Sequence, residues 1–432
     1  MRLVRQPVPI LRLIASFVRT RLLTRRMKTR ADVEEWQRRR IRSWLRHTVS
    51  STGYYRDRNV DELDDLPIVD KSIVMAAFEQ FNSAGLSSAE GWRLFNSNQQ
   101  RDGYIIGAST GTSGNRGLFV ITNAERYEWL GVMLGKLLPA FPFETARIAL
   151  ILPLHTALYD SANRTRRLNL EFFDLRRGVA AIAPEIVGFA PDTIIAPPKV
   201  LRWLAEQDHT LAPKRLFSAA EILDPVDREV IERRYRTKLG EIYMATEGLL
   251  ATSCAHGTLH LAEDVMHFEL QPVPDSDLVS PVVSDFTRRT QVVARYRMND
   301  LLRMRTGACS CGSPLRAVAE VIGRCDDIFE LPRTPGARSV PVTPDVLRNA
   351  ILDSDRSITD FRLLQTGPDE LQLILPDTVS PGAVIAAEMA LARLLQKLGT
   401  QPHISTEKRI LLPPAVKLRR VERRWHAPRS SE

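Results

Sequence analysis

Between residues 104 and 245, short apolar runs alternate with longer amphipathic stretches, and this alternation excludes most architectures before any motif is considered. Runs at 104–108, 118–122, 147–152, 193–196, 215–219 and 241–244 have strand length and strand composition. The stretches at 123–138, 199–207 and 225–235 carry apolar residues at helical spacing. Strands joined through helices build parallel sheets covered on both faces, so the reading is α/β with layered, largely parallel sheets. After residue 247 the pattern turns β-rich, with hairpin-like segments at 260–271 and 291–297. A boundary falls near 325–335. Beyond it a strand at 360–365, a turn at 367–369, a strand at 371–375 and a helix at 381–398 outline a small α+β domain of roughly 100 residues. Upstream, residues 31–50 read as a helix with Val33, Trp36, Ile41, Trp44 and Leu45 on or near one face. The domain plan is therefore a basic arm over 1–30, a large domain over 31–325 and a small C-terminal domain over 326–432.

The 432 residues carry a net charge of +9, which invites a nucleic-acid reading. Its location argues against that. Residues 1–30 hold Arg2, Arg5, Arg12, Arg19, Arg21, Arg25, Arg26, Lys28 and Arg30 and no acid, and without these nine the chain is neutral. No nucleic-acid partner is expected. Within this arm Ile10, Leu13, Ile14, Phe17 and Val18 recur at helical spacing between arginines. Such a pattern suits an anionic membrane surface, and it equally suits a solvated arm or a helix docked on the body. No apolar run approaches the roughly 20 residues that span a bilayer, and no secretory signal is present, so cytoplasmic residence is expected, with the inner membrane surface as a peripheral location.

The segment Ser109-Thr110-Gly111-Thr112-Ser113-Gly114-Asn115-Arg116-Gly117 lies between two strand candidates. Its three glycines and four hydroxyl residues are suited to wrap backbone N–H groups and hydroxyls around a polyphosphate, or to form an ordinary flexible turn. It lacks the spacing and the lysine of a P-loop. Four cysteines are too few for a disulfide framework and point to a reducing compartment. Cys254, Cys309 and Cys311, with either His256 or His260, would make a tetrahedral structural zinc set. The alternative is buried thiols packed as small hydrophobes.

Ser109 to Gly114 resembles the Ser/Thr/Gly-rich signature of the adenylate-forming superfamily of acyl-CoA ligases, peptide-synthetase adenylation domains and luciferase. Four further segments follow in that superfamily's order. Ser218-Ala219-Ala220-Glu221 is similar to the adenine loop, and Tyr243-Met244-Ala245-Thr246-Glu247 to the Tyr-Gly-x-Thr-Glu motif. Arg295-Tyr296-Arg297-Met298-Asn299-Asp300-Leu301 resembles Tyr-Arg-Thr-Gly-Asp, and Gly323-Arg324-Cys325-Asp326-Asp327 resembles the hinge. Leu66-Pro67-Ile68-Val69-Asp70-Lys71, Cys309-Ser310-Cys311-Gly312 and Lys417-Leu418-Arg419-Arg420-Val421 look like the phenylacetate-CoA ligase branch, which also includes synthetases that adenylate a deazaflavin coenzyme.

The resemblance implies a large ATP- and acid-binding domain with a β-rich subdomain, and a small C-terminal lid that swings about Asp326. It implies ATP and Mg²⁺ as cofactors, with the Mg²⁺ on Glu247, Thr246 at the phosphates, and Ser109, Thr110, Gly111, Thr112, Ser113 and Gly114 around the triphosphate. Ala219, Ala220 and Glu221 would line the adenine, Tyr243 would pack on it, and Asp300 and Arg324 would take the ribose. Lys417 would bridge the substrate carboxylate and the α-phosphate. Structural zinc occurs in some members of the branch.

Two departures matter. Tyr243-Met244-Ala245 and Arg297-Met298-Asn299 lack the glycine usual at the middle of each motif, with Met244 and Asn299 in its place, so the backbone there should differ. After the hinge, Ile328-Phe329-Glu330-Leu331-Pro332-Arg333 replaces the Arg-Gly-x-Asn loop of the thiolation site. The leading expectation is adenylation of a carboxylic acid, aromatic by analogy, followed by transfer to CoA or a carrier-protein thiol. A nucleotidyltransferase acting on a coenzyme hydroxyl is the alternative, and a decayed membrane-attached binding protein a third reading. Retention of Glu247, Asp300, Arg324 and Lys417 together speaks against decay.

Overall fold

The computed structural model describes residues 8–97, 99, 101–109, 116–141, 143–153, 167–333, 339–411 and 419–425. Backbone contacts divide the chain into two compact units: residues 1–298 with 303–320, and residues 299–302 with 321–432.

The first unit begins with helices α1 (Val8–Arg26), α2 (Arg30–Trp44), α3 (Lys71–Ala76) and α4 (Ser88–Asn96). Thr29 and Asp32 form a reciprocal capping box that starts α2, and the helix runs into a π turn at Leu45–Val49. Val33, Trp44 and Leu45 are buried as the periodicity predicts, while Trp36 and Ile41 are only partly covered. Strands β1 (Tyr104–Ala108) and β2 (Leu118–Thr122) form a separate antiparallel hairpin. Helix α5 (Asn123–Leu137) follows directly, capped by a Thr122–Glu125 box.

Five strands then form the parallel set: β3 (Ala146–Leu152), β4 (Leu168–Asp174), β5 (Thr193–Ala196), β6 (Arg215–Ala219) and β7 (Leu239–Ala245). Helices α6 (Val179–Phe189), α7 (Pro198–Glu206) and α8 (Pro225–Tyr235) provide the crossovers. Ile151, Phe173, Ile182, Ile194, Leu201 and Leu216 meet in a fully buried core between sheet and helices. The sheet continues antiparallel through β8 (Gly248–Ser253), β9 (Leu259–Leu261), β10 (His267–Pro272), β11 (Leu278–Ser284), β12 (Tyr296–Arg297), β13 (Asp300–Met304) and β14 (Ala317–Arg324). Its order is β10-β11-β13-β14-β9-β8-β7-β6-β5-β3-β4, with β12 on β11. Among the described strands of this sheet, the parallel pairs join β3 to β7.

Three expectations change. Strand β4 and helix α6 were not read from sequence. Segment 260–271 is not a hairpin, because β9 pairs with β8 and β14 while β10 pairs with β11. In 291–297 only Tyr296 and Arg297 are strand, and Gln291 makes an isolated bridge to Asn82.

Helix α1 packs along α5. Gly131 and Gly135 let the backbones approach closely, since a Cβ at Gly131 would lie 2.4 Å from the Leu13 carbonyl oxygen and one at Gly135 would lie 3.0 Å from Thr20 Cβ. Leu13, Ser16, Phe17 and Thr20 are buried there.

In the second unit, β15 (Phe329–Pro332) pairs with β16 (Ser339–Val342). Helix α9 (Pro344–Leu352) and helix α10 (Pro381–Lys397) accompany a four-stranded sheet. Its strands β17 (Arg362–Gln365), β18 (Glu370–Pro376), β19 (His403–Arg409) and β20 (Val421–Arg423) lie in the order β19-β18-β17-β20. Phe329, Leu347, Phe361, Leu373, Ala387 and Leu391 form its core.

Candidate active site

The loop candidate connects β1 to β2. Thr110, Gly111, Thr112, Ser113 and Gly114 lie outside the described residues, but the neck of the loop is defined. Ser109 N–H donates to the Gly117 carbonyl at 2.8 Å, and Gly117 N–H donates to Ser109 Oγ at 2.8 Å. Arg116 Nε donates to the Ser109 carbonyl at 3.2 Å, and its guanidinium lies over Trp92 and Phe95 of α4. The neck is thus closed by hydrogen bonds among Ser109, Arg116 and Gly117.

Gly117 opens onto a cleft lined by Lys71, Met75, Thr246, Glu247, Gln291 and Tyr296. The aliphatic stem of Lys71 lies against Gly117, so a Cβ there would sit 3.5 Å from Lys71 Cε. Position 71 is set by local chemistry: Asp70 caps α3 by accepting from Ile73 N–H at 2.9 Å, which makes Lys71 the first helical residue. The preceding Val69 is hydrogen-bonded on both sides to the 295–297 motif, through Arg295 O and Arg297 N–H. Arg295, with φ +44°, reaches back to the carbonyls of Asp64 and Leu66 and pairs with Glu269. Two segments more than 200 residues apart thereby hold Lys71 at the loop neck. Gln291 is buried and accepts from Val120 N–H of β2 at 3.0 Å.

Glu247 and Thr246 occupy the turn between β7 and β8. Thr246 Oγ1 donates to Glu247 at 2.8 Å, and Arg288 Nη2 donates to the Thr246 carbonyl at 2.7 Å. Behind this turn lies Asp285, fully buried; burial raises its carboxyl pKa against the pull of Arg288 and Thr287. Gly248 has φ +147°, and a Cβ would meet Asp285 and Met266 at 2.9 Å, so only glycine fits the turn. Glu247 is 9% exposed, a carboxylate at the edge of a cleft that also holds an ammonium. Its hard oxygens suit Mg²⁺, and the Lys71 charge suits the phosphates.

Ala219 ends β6, Ala220 and Glu221 follow it, and Tyr243 lies near the carboxyl end of the adjacent β7. Ligands of α/β sheets bind at this edge. Ala220 adopts φ +69°, a conformation a non-glycine residue holds only where its surroundings dictate it. The β7–β8 register slips between Tyr243 and Met244, so the backbone is irregular where the motif lacks its usual glycine.

In the second unit, Asp300 begins β13 and Arg324 ends β14. Asn299 bonds Asp326 twice, donating from its side-chain amide to the carboxylate and accepting from Asp326 N–H at 3.3 Å. Asp327 is buried; burial pushes its carboxyl pKa up while paired Arg419 pulls it down, and burial dominates. Lys417 lies outside the described residues.

Cys254, His260, Cys309 and Cys311 bring their ligand atoms within 4.8 Å of one another. His256 is exposed and stands outside this cluster. The Cys254 and Cys309 sulfurs are 3.9 Å apart, and tetrahedral thiolates at a Zn–S distance of about 2.3 Å are separated by about 3.8 Å. Cys311 Sγ lies 3.4 Å from His260 Nε2, while His260 Nδ1 faces the Leu315 carbonyl at 3.0 Å, which leaves Nε2 for a metal. Burial opposes ionisation of Cys309, but hydrogen bonds from Thr258, the Cys311 backbone and His260 lower its pKa; burial raises that of Cys311.

Lys71, Gln291 and the Arg288–Asp285 support of the Glu247 turn were not assigned roles from sequence. The Asp70 cap at the start of a helix was the signal available for Lys71. Arg288 and Gln291 carry no local signal, because their partners are 42 and 171 residues away.

No family model matches the chain, and no curated protein matches it. Solved structures do. A 2-hydroxyisobutyryl-CoA ligase in the postadenylation state with 2-HIB-AMP superposes over 95% of this chain and 89% of its own, at 16% identity and a TM-score of 0.63. The amide bond synthetase McbA from Marinactinospora thermotolerans matches over 74% of this chain and 68% of its own, at 12% identity and 0.53. ATP-bound MatB from Rhodopseudomonas palustris matches over 72% and 66%, at 13% and 0.51. The chain has the fold of the adenylate-forming ligases.

Proposed function

We propose that this chain activates a carboxylic acid with ATP, forming an acyl-adenylate and pyrophosphate. The observation that carries the reading is the single cleft in which the neck of the Ser/Thr/Gly loop, Lys71 and the Thr246–Glu247 turn meet. A polyphosphate needs a cation and a metal ligand in one place, and this cleft brings Lys71 and Glu247 together beside the loop neck. The substrate carboxylate attacks the α-phosphorus; the new O–P bond forms as the bridging bond to the β-phosphate breaks, and pyrophosphate leaves with the electron pair.

Glu247, with Thr246 beside it, would hold Mg²⁺, which neutralises phosphate charge when bound. Lys71 stabilises the charge on the departing phosphates. The 109–114 loop cradles the triphosphate. Ala219, Ala220 and Glu221 line the adenine and Tyr243 packs on it. Asp300 accepts from the ribose hydroxyls with Arg324 beside it, and Lys417 bridges the carboxylate and the α-phosphate.

The reading extends to an aromatic acid, by the resemblance to the phenylacetate-CoA ligase branch, and to transfer of the acyl group to CoA or a carrier-protein thiol. It extends to a lid over 326–432 that turns at Asp326 between the two half-reactions. Zn²⁺ on Cys254, His260, Cys309 and Cys311 would be structural, because no ligand position stays open. A cytoplasmic location accords with four cysteines that are joined in no disulfide.

The test is exchange of labelled pyrophosphate into ATP across a panel of aromatic and aliphatic acids. Acid-dependent exchange, lost in Glu247→Gln and Lys417→Ala, supports the reading. Absence of exchange with every acid, or an adenylated hydroxyl product, overturns it. Thiol-dependent consumption of the adenylate identifies the acceptor.

A further inference from the structure

Helix α1 has two apolar faces. Leu13, Phe17 and the small residues Ser16 and Thr20 are spent on α5, where Gly131 and Gly135 admit them. Sequence periodicity grouped Leu13 and Phe17 with Ile10, Ile14 and Val18, but the packing separates them. Ile10, Leu11, Ile14, Val18 and Leu22 remain exposed, with Leu11 at 64%. Leu11, Ala15, Val18 and Leu22 follow the 4-3-4 spacing of one helical stripe, on the side opposite the buried residues.

Arginines border that stripe on both sides. Arg12, Arg19 and Arg26 are seven residues apart and share one border; Arg21 and Arg25 lie along the other. Arg12 is engaged with Glu128, Arg19 with Ser16 Oγ and Arg21 with the Gly135 carbonyl, so these side chains are positioned rather than loose. Partial burial and the charge of Arg25 both disfavour protonated Arg21, and a nearby anion would relieve this. Phe143, 87% exposed, is two residues from Phe141, whose ring meets Phe17 of α1 edge-on.

We infer that the outward face of α1 is an interfacial contact for an anionic lipid bilayer, with Leu11, Ala15, Val18 and Leu22 entering the acyl boundary and the bordering arginines meeting the headgroups. Charge decides among the occupants. A second copy docked on the same face would set arginine against arginine in either orientation. An acidic protein would satisfy the borders but not the bare apolar centre, whereas a bilayer presents anions above an apolar medium. No helix among the described residues is long and apolar enough to cross a membrane, so the contact is peripheral. The inward face stays on α5 throughout. The inference stands apart from the acid-activation reading, since it uses none of the cleft residues.

The test is sedimentation of the full chain with vesicles of phosphatidylcholine alone and of phosphatidylcholine mixed with phosphatidylserine. Binding to the mixed vesicles only, weakened by salt, is expected. The triple variant Leu11→Ser, Val18→Ser, Leu22→Ser should lose about a hundredfold in affinity, from roughly 1 kcal/mol per removed apolar side chain, with its melting temperature retained. Arg25→Glu with Arg26→Glu should also lose binding. Equal binding to both vesicle types, no binding to either, or a triple variant that binds like the parent overturns the inference. So does a dimer of the parent that the triple variant abolishes, or retention on poly-glutamate without vesicle binding.

Discussion

Lys71 and Glu247 bring opposite charges into one cleft, and replacing either has a distinct expected result. Lys71→Ala should lower kcat/KM for ATP by about tenfold to a hundredfold with little change in melting temperature, because its half-buried stem makes only a modest contact with Gly117 while its charge acts on phosphate. Pyrophosphate exchange measured against ATP concentration checks it. Glu125 is structural. Its buried carboxylate accepts from Thr122 N–H at 2.8 Å, Arg289 N–H at 2.7 Å and Thr290 N–H at 2.9 Å, as well as from both hydroxyls. Burial alone would raise its pKa, but these donors outweigh burial and hold it below the ordinary value. A depressed carboxylate stabilises the fold above its unfolded pKa of about 4.3, and that stability is lost as pH falls through the lower folded value. Glu125→Gln should therefore cost about 2–3 kcal/mol at neutral pH and flatten the acid limb of the stability curve, as denaturant titrations across pH would show. At this scale sequence reading nominated side chains that belong to an ordered motif, as Glu247 and Asp300 do. It was silent on Arg288, whose role arises only when β11 returns beside the 246–248 turn.

Among elements, the Cys/His cluster joins the turn after β8, strand β9 and the β13–β14 connection. If it holds zinc, the purified protein contains about one zinc per chain, and Cys309→Ser lowers both the zinc content and the melting temperature, the latter by about 5–10 °C. Elemental analysis and calorimetry decide this, and a metal-free parent with an unchanged melting temperature rejects it. Strands β1, β2, β3, β5, β6 and β7 were legible because each is a short apolar run, whereas β4 alternates apolar with polar residues and was not read. Helix α6 was not, because Pro184 stands inside it and breaks the helical reading. The supposed hairpin at 260–271 failed for a long-range reason. Between β9 and β10, Glu263 pairs with Arg30 and Arg316, and Asp264 pairs with Lys136. These ion pairs, whose carboxylates are buried, anchor the turn ahead of β10, and no local pattern encodes them.

For the whole molecule, the order of a large unit before a small one followed from the change of pattern near residue 325. The departure at Asn299 has a structural consequence, since its amide clasps Asp326 in both directions. Asn299→Gly removes those bonds, worth about 1–2 kcal/mol, and should raise the limited-proteolysis rate near Asp326 about tenfold while leaving β-sheet content unchanged. Identity of the substrate was not legible, because a substrate pocket is assembled from positions that tertiary structure alone brings together. The Gly131–Gly135 pair has the widest reach. It fuses α1 to α5, whose first turn is bolted through Glu125 to residues 289 and 290, next to Gln291 in the cleft. The outward face of α1 and the floor of the cleft therefore belong to one chassis. Any surface that seats α1 also fixes the direction in which the cleft opens.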